Sequence, residues 1–523
     1  MESYINREKV NETIQNLLHT ISHLSKAEIV GYTATALTAH YIITTFVFDK
    51  LSNIPGPFAA KLTRFYDVKM KASGKRYVLI DELHKKYGKI VRTGYDTVSI
   101  HDAEAVKQIY GGEKFRKAPY YRVFLFNNTS SLIETSDPVQ HARYRRIFAA
   151  GFSQATLDSL EDLIMVSGII ALMDKLSAKY ADKHVVCNIF NELHLMAFDI
   201  LGELAYGKSF NMIQRESHPF PTWIKCTTFP EINHYPKLLS IFFPKSSGAT
   251  NDILEFSEKS LSARIADKAN QRRDFTQLMV EAMEADKDGN YLTASESQVA
   301  SVVLLVAGTD TTSNTMTFVA FLLSKYPHAQ ERLFQELKEA MPDKNATIKL
   351  VISIIIIMQK SLTNLHHSYK HAKKEKLPYL WAVLMEVTRL YPAVPGGLPR
   401  VTPKGGAVIA RQFIPEGTVV EVPTWSLHHD PALFANPFEF KPERWLGDDA
   451  EELSKNHLVF SVGPRMCAGK NLAMMEMTLA MAHFYRRFNV SLADPNETMP
   501  MVQQFIMKPA SLQLNVYLRS RDH

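Results

Sequence analysis

The segment FSVGPRMCAGK, Phe460 to Lys470, puts a cysteine just ahead of Asn471 to Arg486, a run whose apolar residues recur at helical spacing. A sulfur at the start of a helix meets the positive end of the helix dipole and backbone N–H groups without partners of their own. Both lower a thiol's pKa and favour the thiolate. Gly463 and Gly469 permit a turn tight enough to carry Cys467 against a flat partner, and Arg465 offers a planar fork for a carboxylate. Such a set suits a cysteine ligand to haem iron. The other cysteines, Cys187 and Cys226, form no Cys-x-x-Cys pair with it or with each other. An odd total also argues against a disulfide framework, so both read as small buried hydrophobes.

A second chemical group is Ala307-Gly308-Thr309-Asp310-Thr311-Thr312, embedded in a long apolar helix from about Gln298 to Lys325. Glycine there costs about 1 kcal/mol against alanine, and hydroxyls compete for helix carbonyls, so a local role must justify them. Asp310 near the middle argues against a membrane span. Glu386 and Arg389, three residues apart, share a helix face and can pair. His141-Ala142-Arg143-Tyr144-Arg145-Arg146 forms a basic cluster ahead of Phe148 and Phe152.

These groups need a large, mostly helical body. The 523 residues are 46% hydrophobic and 22% charged, a globular balance that excludes disorder and fibrous classes, and no Gly/Ser-rich linker divides the chain. Helical periodicity covers Ala155 to Lys183, Glu192 to Ala205, Ile253 to Gln271, Ala294 to Lys325 and Pro378 to Tyr391. Extended stretches, Ile90 to Ile100, Ala407 to Phe413 and Thr418 to Pro423, are fewer and shorter, so the fold class is mainly α with small β-sheets. The net charge of +6 is scattered, which does not indicate nucleic-acid binding.

Taken in chain order, these motifs resemble the cytochrome P450 family. Phe-x-x-Gly-x-Arg-x-Cys-x-Gly is similar to its haem-binding signature, Glu386 to Arg389 to its Glu-x-x-Arg, and Phe440-Lys441-Pro442-Glu443-Arg444-Trp445 to the segment that supplies a further arginine. The resemblance runs from about Pro55 to the end of the chain. It implies heme b with Cys467 as axial ligand, lodged between the long central helix and the cysteine loop, with Phe460, Gly463, Arg465 and Gly469 around it. It further implies that Glu386, Arg389 and Arg444 form a buried structural network. His141 stands where relatives commonly carry tryptophan, and with Arg145 and Arg400 it is expected to contact the haem propionates. Asp310 and Thr311 match the acid-alcohol pair that relays protons. Ala307, Gly308, Val394, Gly396, Gly397 and Leu398 are expected to border the substrate pocket, the paired glycines leaving space for a bulky skeleton.

The activity implied is that of a monooxygenase inserting one oxygen atom of O2 into a C–H bond of a hydrophobic small molecule. Wording such as AVPGGLPRVTPKGG and FIPEGTVV is similar to fungal members that act on secondary metabolites. A haem-thiolate isomerase or dehydratase, and an inactive haem-binding protein, stay open. No Gly-x-Gly-x-x-Gly fingerprint is present, so electrons from NADPH are expected through a partner, NADPH-cytochrome P450 reductase, drawn to Arg143, Arg146 and Lys470.

Ala27 to Phe48 is apolar and about long enough to cross a bilayer, with Pro55-Gly56-Pro57 closing a hinge over 49–57. Cations are denser after it than before, which predicts a short lumenal segment, 1–26, and a cytoplasmic catalytic domain, 58–523, on the endoplasmic reticulum membrane. One stretch departs from the family: 349–374 is an atypical insertion holding the apolar, β-branched run Val351 to Met358, an aggregation hazard if exposed. It reads either as a genuine extra element or as a translated non-coding stretch.

Overall fold

The computed structural model describes residues 24–126, 128–216, 244–267, 272–285, 291–343 and 376–521, with Gln15 and His19. Cys226, the insertion over 349–374 and most of 1–26 lie outside them. The central helix, Ala294–Lys325, begins at a capping box in which Thr293 and Glu296 satisfy each other's backbone N–H groups. It is apolar on nearly all sides and therefore runs through the core rather than over it. Its polar residues are accommodated because their hydroxyls bond within the helix. Thr311 donates to the Ala307 carbonyl at 2.8 Å, Thr312 to Gly308 at 2.8 Å and Ser313 to Thr309 at 2.7 Å.

Ile189–Tyr206 packs along the central helix and is itself almost wholly buried. Gly308 is what lets the two approach, since a Cβ there would lie 2.3 Å from the Leu201 side chain. The periodicity over 155–183 yields two helices, Gln154–Ile164 and Ala171–Lys179, joined by a π-helical turn at Met165–Ile170. Gly168 sits in that turn and allows it to lie close against the helix Ile189–Tyr206, since a Cβ there would meet Ile200 at 2.3 Å. The cysteine helix, Lys470–Arg487, and the brace helix, Pro378–Leu390, complete the layer around the central helix.

The sheets are small, as expected. The largest has five strands in the order Ile90–Arg92, Thr97–Ile100, Val419–Glu421, Arg400–Val401, Arg116–Lys117. Ala407–Ile409 and Gln412–Ile414 form a hairpin where one extended stretch was expected, turning at Ala410 and Arg411, both in the left-handed region. Asn515–Ser520 pairs with Phe488–Leu492 and with Cys187–Asn188, and Cys187 is buried, its thiol pushed up by that burial.

At the amino end, Lys26–Ile42 is a helix with no buried residue, continued by a π-helical turn over Ile43–Val47. Among the described residues no helix is long and apolar enough to cross a membrane. The expected hinge is fastened to the body. Leu51 and Ile54 enter a core cluster, Asp49 binds Arg92 at 2.7 Å, and Gly56 lies so close to Arg92 that a Cβ would fall 2.3 Å from its carbonyl.

Candidate haem site

The cysteine loop is closed by its own backbone. Ser461 N–H donates to the Leu458 carbonyl at 2.8 Å, Cys467 N–H to Phe460 at 2.9 Å and Met466 N–H to Gly463 at 3.1 Å. Gly463 has φ +76°, and a Cβ there would lie 2.1 Å from the Tyr110 carbonyl, so the turn requires glycine. Gly469 does not carry the turn as expected: it has φ −81°, and an added Cβ would find only ordinary contact, 3.6 Å from Phe152. Its contribution is a backbone N–H directed, with that of Lys470, at the Cys467 sulfur.

Those N–H groups and the cations Arg145 and Lys470 pull the thiol down, but burial pushes it up by more, so the expected lowering is reversed. A metal cation on the sulfur would remove that proton outright. Cys467 is enclosed by protein, yet the residue is exposed, so the surface it offers belongs to an interior space.

A surplus of positive charge lies nearby. The register of the five-stranded sheet makes Lys117 and Arg400 direct cross-strand partners, an arrangement that like charges disfavour unless an anion lies between them. Lys117 donates to the carbonyls of Leu132 and Ile133, and burial, then Arg400 and Arg465, drives its ammonium well below the usual range. Arg400 donates to the Tyr121 hydroxyl at 3.2 Å. Arg465 donates to Glu113 at 2.9 Å and to the Thr135 carbonyl at 2.7 Å, while its Nη2 is buried with no partner among the described residues. His141 approaches Glu113 at 3.6 Å and is pushed down to about 4 by burial, Arg465 and Lys117, so it is a neutral donor rather than a cation.

A guanidinium nitrogen with no partner among the described residues, two basic side chains paired across a sheet and a sulfur facing an interior space are a donor set that suits a haem with two propionates. Arg145 donates through one Nη at 2.9 Å to the carbonyl of Met466, next to the sulfur. Lys117, Tyr121 and Glu113 carry no motif in the sequence; the sheet register and the Arg465 contact are what bring them here.

The brace behind the loop is the expected network. The Glu386 carboxylate, wholly buried, accepts two bonds from Arg389 at 2.8 and 2.9 Å, and one each from Arg444 (3.0 Å), Trp445 (2.9 Å) and the Lys441 N–H (3.0 Å). These donors hold it below the ordinary carboxylate range despite burial. His428, also unanticipated, joins this brace to the loop: its Nδ1 donates to the Arg389 carbonyl at 3.1 Å and its Nε2 accepts the Leu458 N–H at 2.8 Å.

On the central helix, Leu304, Val306, Ala307, Gly308, Asp310 and Thr311 are half-buried within an otherwise buried stretch, which marks the face turned to the interior. Gly308 on that face also lets the helix pack closely against Leu201. The paired glycines leave no open space. A Cβ on Gly396 would meet Gln503 at 2.7 Å, and one on Gly397 would meet Glu421, the buried partner of Arg76, at 2.4 Å. Leu398 packs into the cluster beside the sheet and Val394 is half-buried.

The cysteine helix reaches the central helix through Glu476, whose carboxyl lies 3.2 Å from the Thr312 hydroxyl. Burial pushes this carboxyl up to about 8, so it is neutral at physiological pH. Between 4.5 and about 8 the folded state holds a proton that the unfolded chain lacks, and stability falls as pH rises, by about 1.4 kcal/mol per unit. Glu476→Gln should remove that slope. The melting temperature of the variant is expected to exceed the parent's by a margin that widens from pH 5 to pH 8; equal slopes would refute the assignment.

Comparison with known proteins agrees with this geometry. The chain is 30% identical, over 96% of its length and 100% of the relative's, to cytochrome P450 monooxygenase atr2 from Stereocaulon alpinum. It is 32% identical over 88% of its length, and 90% of the relative's, to cytochrome P450 monooxygenase BipB from Cochliobolus sativus. It is 28% identical, over 92% of both chains, to pisatin demethylase from Fusarium vanettenii. The family described as Cytochrome P450 matches residues 55–516, and the chain belongs to the cytochrome P450 family of haem-thiolate monooxygenases.

Proposed function

We propose that this monooxygenase hydroxylates, or oxidises in a related way, a hydrophobic fungal secondary metabolite, with electrons from NADPH delivered by a partner reductase. The observation that carries the reading is the interior-facing Cys467 sulfur beside a surplus of buried cations. A bound haem would supply dioxygen activation and transfer of one oxygen atom. Arg465, Lys117 and Arg400 would hold its propionates and Cys467 its iron.

The remaining work falls to the protein. Burial holds the Asp310 carboxyl above its ordinary value, so it can carry a proton, and Thr311 beside it has a hydroxyl parked on the Ala307 carbonyl. Thr311→Ala should leave haem binding intact and lower the product formed per NADPH consumed by about 10²-fold, the scale of a lost positioned proton transfer. Unchanged coupling would remove Thr311 from the path.

Electron supply calls for a partner that meets exposed cations, and of the expected set Arg146 is exposed. Arg143, of the same set, is instead committed to Glu296 and the Tyr291 carbonyl. For the helix at 26–47, membrane attachment at the endoplasmic reticulum is the favoured reading. Its apolar side chains are exposed, and Thr35, Thr38 and Thr44 turn their hydroxyls back onto helix carbonyls, which lessens their cost in lipid. The direct test is reconstitution with reductase and a screen of metabolite extracts. A substrate that raises NADPH consumption and yields an oxygenated product supports the reading, whereas turnover without NADPH would favour an isomerase or dehydratase.

A further inference from the structure

His194 lies on the helix Ile189–Tyr206, and its Nε2 is 3.7 Å from Oδ1 of Asp310. Its other ring nitrogen, Nδ1, is 2.9 Å from the Phe190 carbonyl. A carbonyl only accepts, so the Nδ1 position carries a proton and Nε2 is the nitrogen left facing the carboxyl. Two bare lone pairs facing each other would repel. The pair is therefore complete only with one proton between them, as imidazolium with carboxylate or as imidazole with carboxylic acid. We propose that His194 is a positioning residue that reloads Asp310, passing a proton from solvent to the carboxylate after each delivery toward Thr311. This rests on the reading of Asp310 as the proton carrier.

The step balances: the Nε2–H bond breaks, an O–H bond forms on Asp310, and an ion pair becomes two neutral groups. The surroundings make the two forms close in energy. Burial raises Asp310 and lowers His194, each against the pull of the other. Lys508, bonded to Gln504 at 3.0 Å, is the other charged group that acts on both, favouring the carboxylate and disfavouring the imidazolium. The Phe190 ring, 4.2 Å from that of His194, holds the imidazole in place. Side-chain exposures of 17% for His194 and 16% for Asp310 leave space beside the pair for a water that could hand on the proton. The separation is ion-pair range and just beyond hydrogen-bond length, so a small side-chain rotation completes the transfer.

Two measurements test this. In protein labelled with carbon-13 at histidine rings, the His194 resonance should titrate with a midpoint that moves down in Asp310→Asn, because the favourable anion is gone. A midpoint that stays put overturns the pairing, with no turnover needed. In the reconstituted enzyme, His194→Gln, which hydrogen-bonds but cannot ionise, should lower product formation by about 10²-fold with haem content unchanged, and should make the remaining rate fall more steeply as pH rises. If Asp310→Asn is slow and His194→Gln is not, the reloading role fails while the reading of Asp310 stands. If both retain full rates, the Asp310 reading itself fails. Loss of fold in His194→Gln leaves the resonance titration in Asp310→Asn to decide.

Discussion

Glu386→Ala is expected to give full-length protein that retains no haem. The carboxylate takes five hydrogen bonds at zero exposure, so its removal leaves Arg389 and Arg444 as buried charges whose acid partner is gone. Breaking such a pair from one side costs about 3–5 kcal/mol. The damage would not stay local. Arg389 also donates to the carbonyls of His428 and Pro437, at 2.8 and 2.6 Å, and its own carbonyl anchors the His428 ring that accepts the Leu458 N–H at the root of the cysteine loop. Once Arg389 moves, the loop loses its backing and the sulfur its position. Glu386→Gln keeps shape and one acceptor but turns an NH2 toward the arginines, and it should retain a minor haem fraction. The checks are haem-to-protein ratio and the reduced carbon monoxide spectrum, with circular dichroism reporting the fold. A fully loaded Glu386→Ala would show that the network is dispensable.

The brace illustrates what periodicity and motif could supply. Glu386 and Arg389 share a face by helical spacing alone, and Pro378–Leu390 forms within one residue of the expected bounds. The cysteine helix and the central helix were legible for the same reason, since both keep one period over many turns. What escaped depends on contacts between distant segments. His428 matters because Leu458, thirty positions on, points an N–H at it. Lys117 matters because a sheet register sets it opposite Arg400. The glycines show the limit most clearly. The paired glycines Gly396 and Gly397 suggest free space in the sequence, yet a Cβ on either would meet Gln503 or Glu421, and Gly308 is similarly close to Leu201. Burial likewise overrode the helix-dipole argument at Cys467, where desolvation outweighs two N–H groups and two cations.

Two glycines of the cysteine loop should therefore answer differently to the same substitution. Gly463→Ala forces a side chain into the left-handed region, at about 1–2 kcal/mol, and also drives a methyl to 2.1 Å from the Tyr110 carbonyl. Tyr110 cannot give way cheaply, because its hydroxyl accepts the N–H groups of Leu398 at 3.2 Å and Val422 at 3.0 Å and its ring is buried. The loop must move instead, four residues before the sulfur, and a displacement of about 1 Å is enough to spoil a ligand geometry. Gly463→Ala is expected to lose the long-wavelength Soret band of a thiolate-bound ferrous carbonyl and most of its haem. Gly469→Ala keeps an allowed backbone and an ordinary contact with Phe152, costs less than about 1 kcal/mol, and should retain that band at near-parental intensity. If both variants load haem alike, the turn at Gly463 is not what delivers the sulfur; if both lose it, the N–H groups at the helix start are more sensitive to backbone shape than their torsions suggest.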